Sequence, residues 1–235
     1  MGNWDQGTLL IVNILREFNT QPLEASLYLL VLLFSFLLHE YGHAWAAIAM
    51  GDDTPLVNGK FSWNPMRYLN ALGIALIVLI GFGFGGQVRT APWKYRNRQF
   101  GEILVSSAGV LMNLALVLIA GFALRYLGLE RGLDNALTGE LQAPEWAINT
   151  LIRMVELNVT LFVFNLLPIP PLDGSSLLAA LIPGSFGEAL RRTQANSSYL
   201  LIFVLVIFQQ PIGQMIRAVI DFAFRLLIPE VSNPI

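Results

Sequence analysis

The sequence predicts an all-α polytopic membrane protein with about five to six hydrophobic helical segments, one of which is either re-entrant or fully spanning. Hydrophobic residues make up 55% of the chain and charged residues only 13%, whereas soluble domains average about 25% charged residues. The mean hydropathy of +0.60 points the same way. The apolar residues also fall in long runs separated by short polar or proline-rich stretches, as bilayer-crossing helices require.

The charge and the cysteine content limit the partners and the metal ligands that this chain can have. The formal net charge is -2 and the chain contains no basic block, so no nucleic-acid partner is predicted. The absence of cysteine excludes disulfides, thiolate metal ligands and a cysteine nucleophile. A metal site in this chain must therefore use His, Asp or Glu.

The N-terminal part of the chain begins with an amphipathic stretch and continues into a long apolar run. Residues 8–18 are too short to span, which predicts an interfacial helix, and no basic region precedes them as in a cleaved signal peptide. The first span is predicted at 23–50, after Pro22 and before Gly51, and a polar connection follows at 51–68.

Residues 69–86 leave two topologies open. They are apolar, barely long enough to span, and end in a glycine-rich stretch, so they either cross the membrane or re-enter it. Residues 87–99 carry basic but no acidic side chains and are placed in the cytoplasm. A re-entrant element would put them on the same side as the remaining clustered cations, so charge bias favours it. Those cations are Lys60, Arg67, Arg191 and Arg192.

The rest of the chain predicts two further spans, a short helix and a broken span. The two spans are residues 101–124 and 146–167, with a mixed, acidic connection between them, and the prolines after residue 167 end the second span. A short apolar helix is predicted at 175–182. Residues 199–228 predict a tilted span that is broken near Pro211.

Both histidines of the chain lie in the first predicted span. On a helix, His39 and His43 are one turn apart on the same face, so both imidazoles can reach one metal ion. Glu40 follows directly and can act as general base on a metal-bound water. Unpaired ionisable groups at this depth cost on the order of 2–3 kcal/mol each. This cost favours a metal site over histidines bonded to carbonyls or a proton relay in a transporter.

A catalytic zinc site needs a third protein ligand and an open position for water. Asp173 follows a proline-broken helix and precedes Gly174, which allows a sharp turn. Its local sequence fits a metal ligand and an N-cap of the helix at 175–182 equally well. The other acidic candidates have no comparable proline- and glycine-containing turn beside them. They are Glu102, Glu156 and Asp221.

Two spaced motifs resemble the site-2 protease family of intramembrane zinc metalloproteases. Residues 39–43 are similar to the family's HExxH helix, and residues 165–174 to its later NxxPxPxLDG segment. Residues 109–113 resemble its GPxxN stretch, with valine in place of the proline. Residues 58–65 and 92–97 resemble loops of compact bacterial members, which lack PDZ and CBS domains.

The resemblance implies roles for individual residues. The implied metal ligands are His39, His43 and Asp173, for one zinc ion per chain. Glu40 would be the catalytic acid/base. Asn113 and Asn165 match family asparagines near the site, where their amides would orient substrate or stabilise the loop. For Asn113 a helix-to-helix amide hydrogen bond is the alternative.

The resemblance also implies an organisation and a partner. The chain would divide into an N-terminal interfacial segment at 1–20, a metalloprotease core at 21–185 and a C-terminal transmembrane region at 186–235. The expected partners are the lipid bilayer and a transmembrane-helix substrate, cut in regulated proteolysis of a membrane-tethered factor. The expected location is the bacterial plasma membrane, with the active site towards the cytoplasm. A separate hypothesis comes from the substrate itself: a helix must unwind before it is cut, and the glycine-rich end of 69–86 would hold the unwound peptide by strand addition.

Two alternatives from other functional classes stay open at this point. A metal or proton transporter would use the same four ionisable residues as a relay, but it should carry polar residues across several depths of the membrane. Here they concentrate at one depth. The second alternative is an inactive relative that binds membrane proteins without cutting them, against which the intact motif argues.

Overall fold

The computed structural model describes residues 19–64, 67–68, 88–137, 144–182, 184–194 and 197–228. Within these residues all the regular secondary structure is helical, which confirms the predicted fold class for this part of the chain. The helices are α1 (Pro22–Ala49), α2 (Thr54–Val57), α3 (Arg98–Leu137), α4 (Glu145–Asn165), α5 (Asp173–Leu181), α6 (Ser185–Thr193) and α7 (Ser198–Leu227), with a 3-10 turn at Pro92–Lys94.

Three of the described helices are long and apolar enough to cross a membrane. They are α1, the Arg98–Leu127 part of α3, and α4. The predicted interfacial segment at 8–18 and the predicted span or re-entrant element at 69–86 lie outside the described residues. The total of five to six hydrophobic segments and the choice between the two topologies therefore stay predictions.

Helices α1, α3 and α4 form a bundle in which α3 runs against the other two. Asn149, near the start of α4, donates a hydrogen bond to Glu24, near the start of α1, at 3.1 Å, so these two helices run parallel. The N–H of Arg96 donates to the carbonyl of Met50 at 2.9 Å and places the start of α3 beside the end of α1. The bundle thus has one end at which α1 and α4 finish and α3 begins.

Small residues let α1 approach α3 closely. A Cβ on Gly42 would lie 2.8 Å from Met112 Cγ and 3.0 Å from the carbonyl oxygen of Ala108. One turn further along, Ala46 and Ala47 are fully buried against α3. Because glycine and alanine add almost no side-chain bulk, the two backbones meet where the histidines of α1 lie.

Helix α7 packs along the bundle from one end to the other. Leu201 contacts Phe164 at the end of α4, and Leu227 packs against Gly121 of α3. The sequence predicted a break near Pro211, and the helix is kinked there, with Phe208 as the non-helical residue at φ -105° and ψ 20°. A proline lacks the N–H and clashes with the preceding turn, so the distortion falls before the proline itself.

Helix α3 continues beyond the predicted span. The sequence predicted a connection from residue 125, yet α3 ends only at Leu137. Charged residues there mark the end of the apolar run, but arginine, glutamate and leucine are good helix formers, so the helix does not need to end where the apolar run ends. The short helix predicted at 175–182 is α5, and it begins two residues earlier, at Asp173.

Two neighbouring aspartates tie the segment 88–97 to the end of α1. The buried Asp52 accepts hydrogen bonds from the N–H of Thr54 at 2.9 Å and of Ala91 at 2.6 Å. The exposed Asp53 accepts from Nζ of Lys94 at 2.5 Å. The contacts of the buried Asp52 fix the course of the backbone from Val88 onwards, and the N–H of Val88 donates to Glu40.

Candidate metal centre

His39 and His43 converge as the helix periodicity predicts. Both are buried in α1, and their rings meet edge to face with centroids 4.8 Å apart. Their Nε2 atoms are 3.2 Å apart. The two imidazoles thus offer one nitrogen each to the same point.

The backbone between α4 and α5 brings Asp173 to the same point. Gly174 packs against the end of α4, where a Cβ would lie only 2.2 Å from the carbonyl oxygen of Leu166, so this position requires glycine. The N-cap of α5 is Leu172, and no side chain caps the helix. Oδ2 of Asp173 lies instead 3.2 Å from Nε2 of His39 and 3.1 Å from Nε2 of His43. The local sequence left cap and ligand equally open, and the geometry favours the ligand.

The histidine tautomers follow from their other ring nitrogens. Nδ1 of His43 lies 2.7 Å from the carbonyl oxygen of Val105, and Nδ1 of His39 lies 2.7 Å from Oδ1 of Asn113. Both partners are acceptors, so each Nδ1 carries the proton and each Nε2 carries a lone pair. Metal-binding histidines in proteins are commonly held in this way.

These three atoms fit a zinc ion. Two lone-pair nitrogens and a carboxylate oxygen repel one another unless a cation lies between them, and Oδ2 of Asp173 is buried without a hydrogen-bond partner among the described residues. Ligand atoms of a tetrahedral zinc stand about 3.3 Å apart, given bonds of about 2.0–2.1 Å. The observed edges of 3.1–3.2 Å are close to this spacing. Two nitrogens and one oxygen also leave a fourth position open.

Glu40 lies beside this triangle, on the wall of a cavity of about 190 Å³. It is buried, and its Oε2 accepts a hydrogen bond from the N–H of Val88 at 3.0 Å. Because Val88 belongs to the segment that Asp52 holds at Ala91, the carboxylate is oriented by a backbone fixed to the same helix. A water or a peptide entering the cavity reaches Glu40 and the three candidate ligands together.

The two asparagines suggested by the resemblance occupy different places. Asn165 lines the cavity and donates to the carbonyl of Leu161 at 3.0 Å. Asn113 is fully buried behind His39, where its Nδ2 donates to Oδ1 of Asn158 at 2.9 Å. Asn113 therefore makes the helix-to-helix amide hydrogen bond that was the alternative to substrate contact.

Several residues around the centre were not singled out by the sequence. Val88 and Val105 act through backbone groups, and Asn158 and Ser35 are buried polar residues behind His39. Gly109 belongs to the matched stretch 109–113, but its contact with both imidazoles was not predicted. Backbone donors and acceptors leave no mark on residue identity. Polar residues in apolar helices are a usable signal, and Ser35 lies one turn before His39.

Comparison with known proteins finds a family and several relatives that this chain resembles in sequence. The profile described as Peptidase family M50 matches residues 27–208. The chain is 35% identical to the candidate zinc metalloprotease YwhC of Bacillus subtilis over 202 residues, which are 85% of this chain and 88% of YwhC. It is 34% identical to the candidate zinc metalloprotease Rip2 of Mycobacterium tuberculosis over 201 residues, or 81% and 71% of the two chains. No solved structure matches this chain.

Proposed function

This chain belongs to Peptidase family M50 and is a membrane zinc metalloprotease of the site-2 protease type, and on that basis we propose that it hydrolyses peptide bonds within transmembrane helices of other membrane proteins. The observation that carries the proposal is the convergence of the lone pairs of His39, His43 and Asp173 beside the carboxylate of Glu40. His39, Glu40 and His43 lie on α1, a helix long and apolar enough to span the bilayer.

In the proposed site His39, His43 and Asp173 would hold one zinc ion per chain. Bound zinc lowers the pKa of water towards about 7 and polarises a carbonyl oxygen. The chain supplies the rest. The carbonyl of Val105 and the amide of Asn113 orient the two imidazoles so that both Nε2 atoms face Oδ2 of Asp173, which the turn at Gly174 brings to them.

Glu40 is the proposed acid/base. It takes a proton from the attacking water and later delivers it to the leaving amine. The N–H of Val88 holds Oε2 of Glu40 on the cavity wall, so the carboxylate faces the reacting groups. Burial of the site keeps bulk water away from the opened helix and strengthens each polar contact.

The substrate helix must unwind before it is cut, because every N–H and C=O in a transmembrane helix is paired within the segment. Residues 69–86 would hold the unwound peptide by strand addition, and Asn165, on the cavity wall, would bind one of its freed backbone groups. Prolines placed along 69–86 should then impair cleavage while zinc stays bound. Unchanged cleavage would remove this segment from substrate binding.

The proposed orientation places the site on the cytoplasmic side of a bacterial plasma membrane. His39 precedes the end of α1 at Ala49 by ten residues, which at about 1.5 Å per residue is about 15 Å of helix. The end of the bundle where α1 finishes carries the clustered cations, and such clusters face the cytoplasm. Those cations are Lys60, Arg67, Arg89, Lys94, Arg96, Arg98, Arg191 and Arg192. We also propose that the chain divides into an N-terminal interfacial segment at 1–20, a metalloprotease core at 21–185 and a C-terminal transmembrane region at 186–235.

A cleavage assay tests this function directly. Purified protein and a labelled transmembrane substrate are compared for the wild type and Glu40→Gln, with zinc content measured by mass spectrometry. We expect both proteins to bind zinc and only the wild type to cut. Cleavage by Glu40→Gln would contradict the role of Glu40. Zinc binding by a wild type that cuts no transmembrane substrate would favour an inactive relative, and zinc uptake into vesicles would favour a transporter.

A further inference from the structure

Behind His39 a chain of buried polar groups crosses three helices. Nδ2 of Asn113 on α3 donates to Oδ1 of Asn158 on α4 at 2.9 Å, and Nδ2 of Asn158 donates to Oγ of Ser35 on α1 at 2.9 Å and to the carbonyl of Met154 at 2.8 Å. Asn113, Asn158 and Ser35 are all 0% exposed. No water can replace a lost partner at such positions without a cavity, so the direction of each bond matters.

The carbonyl of Met154 sets that direction. A backbone carbonyl only accepts, so Asn158 must point its amide nitrogen towards Met154 and its oxygen towards Asn113. Asn113 must then point its own amide nitrogen at Asn158 and its oxygen at His39. With an acceptor 2.7 Å away, Nδ1 of His39 must carry the proton.

Reversing this series of hydrogen bonds shows why its direction matters for His39. If both amides flipped, Oδ1 of Asn158 would face the oxygen of Met154 at 2.8 Å, and the amide nitrogen of Asn113 would face Nδ1 of His39. His39 would then carry its proton on Nε2, which would block the atom that faces Asp173 and His43. His43 needs no such chain because its Nδ1 bonds a backbone carbonyl directly.

We propose that Asn158 is a positioning residue that fixes the amide orientation of Asn113 and, through it, the tautomer of His39, so that Nε2 is ready to bind the metal. The inference rests on the proposed role of His39 as a metal ligand. It assigns to Asn158, which lies on another helix and contacts neither metal nor substrate, a share in metal affinity that a simple packing role would not give.

The chain offers a matched control on the same helix. Asn149 also joins α4 to α1 by an amide hydrogen bond, to Glu24, but it lies near the start of both helices. Asn158→Leu and Asn149→Leu therefore each remove one link between the same two helices, and only the first leads to His39. Loss of an outer partner of a metal ligand lowers metal affinity about 10–100-fold.

The experiment measures the zinc affinity of the full chain in detergent by chelator competition. It also records the nitrogen NMR spectrum of protein labelled at histidine, which shows two imidazoles because the chain has two histidines. We expect Asn158→Leu to lower zinc affinity at least about tenfold and Asn149→Leu to change it less than about threefold. One of the two Nδ1–H signals should change in Asn158→Leu, and the signal of the ring bonded to Val105 should not. Asn158→Ala makes no steric demand and serves if the leucine variant does not fold.

Ser35→Ala removes one of the two hydrogen-bond acceptors of Asn158 and tests whether the other, the Met154 carbonyl, is enough to fix its orientation. Because the Met154 carbonyl remains, Asn158 should keep its orientation, and zinc affinity should stay within about threefold of the wild type. A tenfold loss in Ser35→Ala, or full zinc affinity and unchanged Nδ1–H signals in the Asn158 variants, would overturn the inference. A wild type that binds no zinc would instead overturn the proposed function.

Discussion

Gly109 of α3 lies directly against the ring of His43: a Cβ at residue 109 would stand 2.3 Å from Nε2 of His43. The same atom would stand 2.7 Å from Nε2 of His39. A glycine is therefore required where α3 passes the two candidate ligands, because any side chain would occupy the space into which their nitrogens point.

Gly109→Ala should abolish zinc binding and activity together. The added methyl must displace both rings, and overpacking of this kind costs about 1–3 kcal/mol. Zinc content and cleavage are the measurements. Gly213→Ala is the control, because a Cβ there meets only Nη2 of Arg217 at 3.9 Å, and alanine favours a helix over glycine by about 1 kcal/mol. Gly109→Ala protein with a full zinc content would contradict the steric argument.

Asp52→Ala should impair cleavage more than zinc binding. Asp52 is fully buried and satisfies the N–H groups of Thr54 and Ala91, and leaving buried donors unpaired costs about 1–3 kcal/mol each. The segment from Val88 would loosen and release Glu40, whereas the candidate ligands stay in place. The adjacent Asp53→Ala is the control, since it removes an exposed contact with Lys94. Equal losses of activity in both variants would contradict this account.

The contact between Asp53 and Lys94 should contribute fully to stability above about pH 4 and progressively less below it. The hydrogen bond from Lys94 holds the pKa of the exposed Asp53 carboxyl below its usual range, which is about 3.9 in the unfolded chain. A lowered folded-state pKa stabilises the protein above the unfolded value, and this stabilisation is lost as the pH falls through the folded value.

Thermal unfolding of the wild type and Asp53→Asn checks this pH dependence. The difference between their midpoints should be largest near about pH 6 and should decrease as the pH falls below about 3.9. It should also shrink in about 1 M salt, where screening acts over roughly 3 Å. A difference that does not change with pH would show that the contact acts through packing rather than charge.

Arg191→Ala should detach α6 from the bundle. Nη2 of Arg191 donates to Oε2 of Glu102 on α3 at 2.7 Å and to the carbonyl of Ala179 on α5 at 2.9 Å. The side chain of Glu102 is only 10% exposed, and a hydrogen bond to a charged group contributes about 1.5–3 kcal/mol. Thermal unfolding in detergent should show a loss of this size. The exposed neighbour gives the control: Arg192→Ala should change stability by less than about 0.5 kcal/mol.

The sequence predicted the fold class because the composition that a membrane demands is local and one-dimensional. Each apolar run must cover the bilayer by itself, so its length and its ends are visible without knowledge of its neighbours. The helix ends were predicted less well, as at α3, which continues to Leu137 after its apolar run has ended. The distortion of α7 falls at Phe208, in the turn before Pro211, where the missing N–H and the ring of the proline disturb the helix.

By itself the sequence determined that His39, Glu40 and His43 share one helical turn, since helical periodicity fixes that relation within a single element. Only the tertiary structure decided that Asp173, 130 residues further along and equally suited to cap a helix, lies 3.1 Å from His43. It also decided that Oδ1 of Asn113 bonds Nδ1 of His39 and that α3 packs against both imidazole rings at Gly109. Contacts between helices depend on how the helices pack in three dimensions, and helical periodicity alone does not specify that packing.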